Sequence, residues 1–259
     1  MPEDMKAIAK LFTVVIAVFA AVVAIGLMHL LSDDQFKEIL LDADSSWWPF
    51  TIQNFMWVAF FVGLGEVVLR WMSVEEERGQ LKRGYLPEDD ALLSPALLGQ
   101  IRQNIHGRKQ GKNCFLPRML VRTIDQYQLN ANEEQASSML NASLDLYMHE
   151  IDLRYSTLRY ITWLIPTLGF IGTVLGIMFA LNYAGVAENA QRDDFLYEVT
   201  ARLGVAFTTT LLALGLSAVL VLFQSMLQAR EEQGLNAAGQ YCLDKLILKL
   251  GYSRRSLQS

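Results

Sequence analysis

Residues 165–181 read Ile165-Pro-Thr-Leu-Gly-Phe-Ile-Gly-Thr-Val-Leu-Gly-Ile-Met-Phe-Ala-Leu181. The stretch is too apolar for a soluble loop, yet it holds one proline, three glycines and two threonines, more small and polar residues than a simple anchor needs. A pore-lining membrane helix packed closely against others satisfies both properties.

Working outward, the chain of 259 residues is 52% hydrophobic and 19% charged, with a mean hydropathy of +0.23. That mixture points to a membrane protein with a substantial aqueous portion. Four runs approach or exceed the roughly 20 apolar residues that cross a bilayer, giving expected helices over about 11–31, 52–71, 159–183 and 202–227. The first run is longer than the apolar core of a signal peptide and no small-residue cleavage site follows it, so it is expected to be retained. The expected fold is an all-α membrane protein. A first transmembrane hairpin occupies 1–72, a helical cytoplasmic domain 73–158, a second hairpin 159–227, and a cytoplasmic C-terminal helix and tail 228–259. Helices three and four are expected to extend into the cytoplasm.

Orientation follows from the basic residues. The loop 32–51 carries only Lys37 against five acids, and 184–200 only Arg192 against four. By contrast, 73–158 carries ten Lys and Arg and the tail after Leu227 carries five, while Lys6 and Lys10 lie near the first span. Positive residues stay inside, so both termini and the central domain are expected in the cytoplasm. The net charge of −5 is spread over both sides. No basic block suits nucleic acid.

Cys114 and Cys242 form no CxxC and read as buried or inert thiols. His29, His106 and His149 are scattered, and no catalytic or metal-binding motif occurs, so neither an enzyme nor a cofactor is indicated. Turn signals fall at Gly84, Pro87, Pro95 and Pro117, whereas 133–159 lacks Gly and Pro. Met139, Leu144, Met148, Ile151, Tyr155 and Leu158 recur there at helical spacing, predicting a helix that runs unbroken into the third span. The tail from Gln228 reads as a continuation of helix four, weakened by Gly234 and Gly239 and ending at Gly251.

Stepping by three and four along helix three places Thr162, Pro166, Gly169, Thr173, Gly176 and Ala180 on one face. Gly172 and Gly176 form a GxxxG, and Pro166 is expected to bend the helix. In helix four the same stepping gives Ala206, Thr210, Ala213, Ser217 and Gln224. Packing alone, with each hydroxyl bonded one turn back, accounts for a single threonine. The run Thr208-Thr209-Thr210 points in several directions, so at least one hydroxyl faces another helix or an aqueous path. From Tyr160 to Ala187 and from Leu203 to Ala229 there is no Asp, Glu, Lys, Arg or His. Hydroxyls do not titrate in the range proton transfer needs, so a proton path here requires a carboxylate from another chain.

These residues carry a resemblance. The run Ile165-Pro166 through Gly169, Gly172-Thr173-Val and Gly176-Ile resembles the AP-x-x-G-x-x-GTV-x-GI signature of the MotA/TolQ/ExbB family, and Val205-Ala206 through Thr210 and Ala213 resembles its second pore helix. The likeness covers about Tyr155 to Glu232; the first half shares only the four-span plan of the flagellar stator subunit. Val205 stands where ExbB and TolQ carry a membrane glutamate. The resemblance implies a homopentamer around a dimer of a single-span partner like MotB, TolR or ExbD, whose aspartate carries the ion. It implies that Thr173 and Thr210, with Thr209 beside them, line the path. The remaining small residues, Pro166, Gly169, Gly172, Gly176, Ala206, Ala213 and Ser217, would pack the pore helices. A proton is the expected ion, sodium the alternative. The load stays open among a flagellum, outer-membrane transport, and a defence or secretion assembly, and a non-conducting membrane scaffold is the competing class.

Glu66 and Arg70, spaced i, i+4 near the end of helix two, read as an intramembrane ion pair. Trp47, Trp48 and Trp57, with Trp71 and Trp163 opposite, suit belts at the lipid headgroups.

Overall fold

The computed structural model describes residues 3–31, 37, 40–41, 48–87, 95–108, 111, 114–130, 132–186 and 193–250, with side chains from Leu11 onward. Trp47, Arg192, Gly251 and all five acids of the loop 32–51 lie outside the described residues. The described chain is helical, with no strand, and four of its helices are long and apolar enough to cross a membrane. In order these elements are α1 (Glu3–Leu31), α2 (Ile52–Leu81), α3 (Pro95–Gly107), α4 (Phe115–Asn130), α5 (Glu133–Arg154), α6 (Ser156–Gly185) and α7 (Phe195–Cys242). A π-helical turn over Leu243–Ile247 follows α7.

The chain divides into two compact units, 1–68 with 157–224 and 69–156 with 225–259. In the first, Leu41, Met56, Trp57, Ile161, Ile165, Ala213, Leu216 and Leu220 form a buried apolar cluster. Trp57 packs in that core, its indole N–H donating to the Leu40 carbonyl at 3.1 Å. Small residues set the helix contacts. A Cβ on Gly65 would lie 3.2 Å from the Ala17 Cβ, and one on Gly63 would lie 2.9 Å from Leu220 Cδ1. Helix α1 buries Ala17 and Ala21 and half-buries Ile25 and Met28, while most of its larger side chains stay exposed, as expected of a lipid-facing span. Thr51 begins α2 as an N-cap, its hydroxyl accepting from the Asn54 amide at 3.3 Å and donating to the Leu41 carbonyl at 3.0 Å.

In the second unit α4 packs against α5. Phe115, Leu116, Met119, Leu120 and Ile124 meet Ala136, Leu140, Ser143, Tyr147 and Ile151, all buried. Of the stripe expected from its large apolar residues, Ile151, Tyr155 and Leu158 are buried and Met139 and Leu144 half-buried, only Met148 being 38% exposed, and small Ala136 and Ser143 are covered beside them. Asn132 caps α5, its side chain accepting from the Glu134 amide at 2.9 Å. The last helix continues through Gly239, whose missing side chain admits Leu144, the Cδ2 of which would lie 2.9 Å from a Cβ there.

The helix expected to run unbroken into the third span is interrupted at Tyr155. Two side chains take the carbonyls that would continue it: the Ser156 hydroxyl donates to Leu153 O at 2.8 Å, and Arg70 Nη2 donates to Arg154 O at 2.8 Å. The Tyr155 amide still makes the helical bond to the Ile151 carbonyl, at 3.3 Å.

Candidate functional site

Helices α6 and α7 approach within side-chain-free distance along the small face the sequence marks. A Cβ on Gly176 would lie 2.6 Å from the Ala206 Cβ, and ones on Gly169 and Gly172 would collide with Ala213 and Thr209. Only glycine allows this contact, which in lipid supplies the dispersion and close dipole approach that hold helices together.

Where the backbones meet, Thr173 and Thr210 bond hydroxyl to hydroxyl. Around them, Thr173 Oγ1 also lies 3.2 Å from both the Gly169 and Ala206 carbonyls, and Thr210 Oγ1 lies 3.2 Å from Gly169 O. Four oxygens therefore converge between two helices, with both side chains half-buried. Thr208 and Thr209 behave differently. Both bond back to the Val205 carbonyl, at 3.0 and 2.6 Å, and the Thr209 methyl fills the space opposite Gly172. The hydroxyl of Thr209 is thus committed to its own helix, and the cross-helix pair is Thr173 with Thr210.

Further along the same face, Pro166 has no N–H for the Thr162 carbonyl. Ser217 of α7 supplies the donor instead, at 3.0 Å, in a fully buried bond. A neighbouring hydroxyl thereby satisfies the backbone group that a membrane proline frees.

The second unit holds a group of charges the sequence reading passed over. Arg154 is the centre: Nη1 meets Glu231 at 2.9 Å and Nη2 meets Glu150 at 2.6 Å, while Arg118 also reaches Glu150 at 3.1 Å. The Glu231 side chain is only 2% exposed. Burial alone would raise the Glu150 carboxyl, but the Arg154 hydrogen bond and the charges of Arg154 and Arg118 hold it below its usual range. Past the apolar part of α2, Glu77 accepts from the Phe115 amide at 2.8 Å, so a carboxylate caps the start of α4. Burial pushes Glu77 up to about 7, against the lowering effects of that bond and of Arg154. The sequence signals were the i, i+4 spacing of Glu150 and Arg154 and an acid, Glu231, on the tail helix. Arg70 lies over the Tyr155 ring at 5.7 Å in this unit, and Glu66 is half-buried on α2.

Cys114 and Cys242 are buried free thiols, each pushed up to about 12 by burial. They are unreactive positions at neutral pH. Among the described residues no three His, Cys, Asp or Glu side chains gather to hold a metal.

Residues 112–238 match the sequence model of the MotA/TolQ/ExbB proton channel family. The match takes in α4 and α5 as well as the α6–α7 hairpin, and so extends well before Tyr155, where the visible motifs begin. No curated protein and no solved structure matches the chain.

Proposed function

We propose that this chain, which carries a MotA/TolQ/ExbB proton channel family domain over residues 112–238, is the ring-forming subunit of an ion-driven rotary or energy-transducing complex in a bacterial inner membrane. The observation that carries this reading is the hydroxyl pair of Thr173 and Thr210, set between two helix stretches, 160–187 and 203–229, that hold no Asp, Glu, Lys, Arg or His. Such a pair offers a proton polar lodging without binding it, since hydroxyls do not titrate near neutral pH. The binding group therefore comes from elsewhere: an aspartate on a single-span partner, two copies of which sit inside a pentamer of this chain. Protonation neutralises that carboxylate, which then moves from the polar threonine contact to an apolar one, because desolvation favours the neutral form. Repeating this around the ring turns one component against the other.

Native mass spectrometry of the chain co-expressed with its neighbouring single-span gene product tests the assembly. A pentamer holding two partners is expected; a stable oligomer that takes up no partner contradicts it. The glycine contacts of α6 with α7 favour a second reading, a non-conducting scaffold in which the threonines only pack. The four oxygens at the pair support sodium as the alternative ion, as in a sodium-driven flagellar-type stator.

A further inference from the structure

The face that carries Thr173 and Thr210 can be followed to the loop end of the hairpin. From Thr210 the steps run Ala206, Arg202, Glu198; from Thr173 they run Gly176, Ala180, Tyr183. Arg202 of the first series meets Tyr183 of the second. The Arg202 guanidinium lies 4.6 Å above the Tyr183 ring, Tyr183 stacks on Phe195 at 6.3 Å with 19° between planes, and Arg202 Nη2 bonds Glu198 Oε2 at 3.4 Å. Arg202 Nε is buried and without a hydrogen-bond partner, so the stacked ring and not a second acceptor fixes that edge. Eight residues from Thr210, this guanidinium stands about 12 Å along the helix from the hydroxyl pair. Between it and Arg230 α7 has no other charge.

A fixed positive charge over a narrow polar path opposes entry of any cation, a proton included. We propose that Arg202, seated on Tyr183 and paired with Glu198, is the electrostatic gate at the loop end of the ion path, with Arg202 holding cations back and Glu198 offsetting it to admit them. The inference rests on the ion-path reading of Thr173 and Thr210. It assigns opposite roles to two paired residues, which a packing role does not. If Arg202 and Glu198 merely anchored the start of α7, removing either partner would move the protein in the same direction.

The test is proton flux into proteoliposomes containing the full chain with its single-span gene neighbour, read with an entrapped pH dye under an imposed potential. Arg202→Gln is expected to raise the flux by about twofold to fivefold and Glu198→Gln to lower it by a similar factor, the range an exposed charge contributes. Arg202→Lys, which keeps the charge, should hold flux near wild type. Flux that falls in both Gln variants, or changes in neither, overturns the gate while leaving the ion path standing. A wild-type complex that conducts nothing removes the ion-path reading, and the gate with it. Should Arg202→Gln fail to reach the membrane, the fall in Glu198→Gln against a steady Arg202→Lys still decides the sign.

Discussion

Ser217 Oγ donates to the carbonyl of Thr162 at 3.0 Å, the acceptor that Pro166, one turn later, cannot serve. Two residues that sequence spacing marks separately as small and helix-bending are therefore two parts of one arrangement. Ser217→Ala leaves a buried carbonyl without a donor and should cost about 1 kcal/mol. Pro166→Ala restores the N–H, so the same serine change should cost less in that background. Thermal unfolding in detergent of the two single variants and the double variant gives the coupling directly.

Gly169 faces Ala213 with no room for a methyl group. Gly169→Ala should destabilise the hairpin by about 2 kcal/mol through overpacking. Adding Ala213→Gly should recover most of the loss, a rescue that helix propensity alone would not produce; the yield of folded, monodisperse protein reports both.

Glu231 is buried against Arg154, whereas the Arg102–Asp125 pair is 46% and 36% exposed. Glu231→Ala should lower stability by about 3 kcal/mol because it strands part of a buried charge network. Arg102→Ala should cost less than about 0.5 kcal/mol. Denaturant unfolding followed by circular dichroism separates the two.

Glu77 titrates higher in the folded protein, near 7, than the ordinary 4.5. The folded state then holds a proton that the unfolded state has released, so this group favours folding at low pH and its contribution is lost as pH rises through that interval. Melting temperature should fall between about pH 5 and pH 8 in the wild type, and Glu77→Gln should flatten that fall. A variant with an unchanged slope would mean that another group sets the pH dependence.

The spans and the small faces that carry Thr173 and Thr210 were legible because membrane length and helical periodicity are written directly into the order of residues. What the threonines do with their hydroxyls was not. Thr208 and Thr209 satisfy themselves on Val205 O, and only the approach of α6 distinguishes Thr210 from them. The interruption at Tyr155 was hidden because its cause includes Arg70, 84 positions from the carbonyl of Arg154 that it takes. The Glu150–Arg154–Glu231 group likewise rests on a bond between Arg154 and Glu231, 77 positions apart, a relation that periodicity within one helix does not carry. The part that Ala136 and Ser143 take in the buried face of α5 was not legible because they are weak apolar signals, though tight packing selects them for size.

The most direct test of the ion-path claim compares proton flux through the reconstituted wild-type complex with that of Thr173→Val combined with Thr210→Val, a near-isosteric change that removes both hydroxyls. The predicted result is an intact assembly, by native mass spectrometry, with flux reduced at least about tenfold, the loss of roughly 1.4 kcal/mol of path stabilisation. Equal flux in the variant and the wild type would contradict the account and make these threonines packing residues.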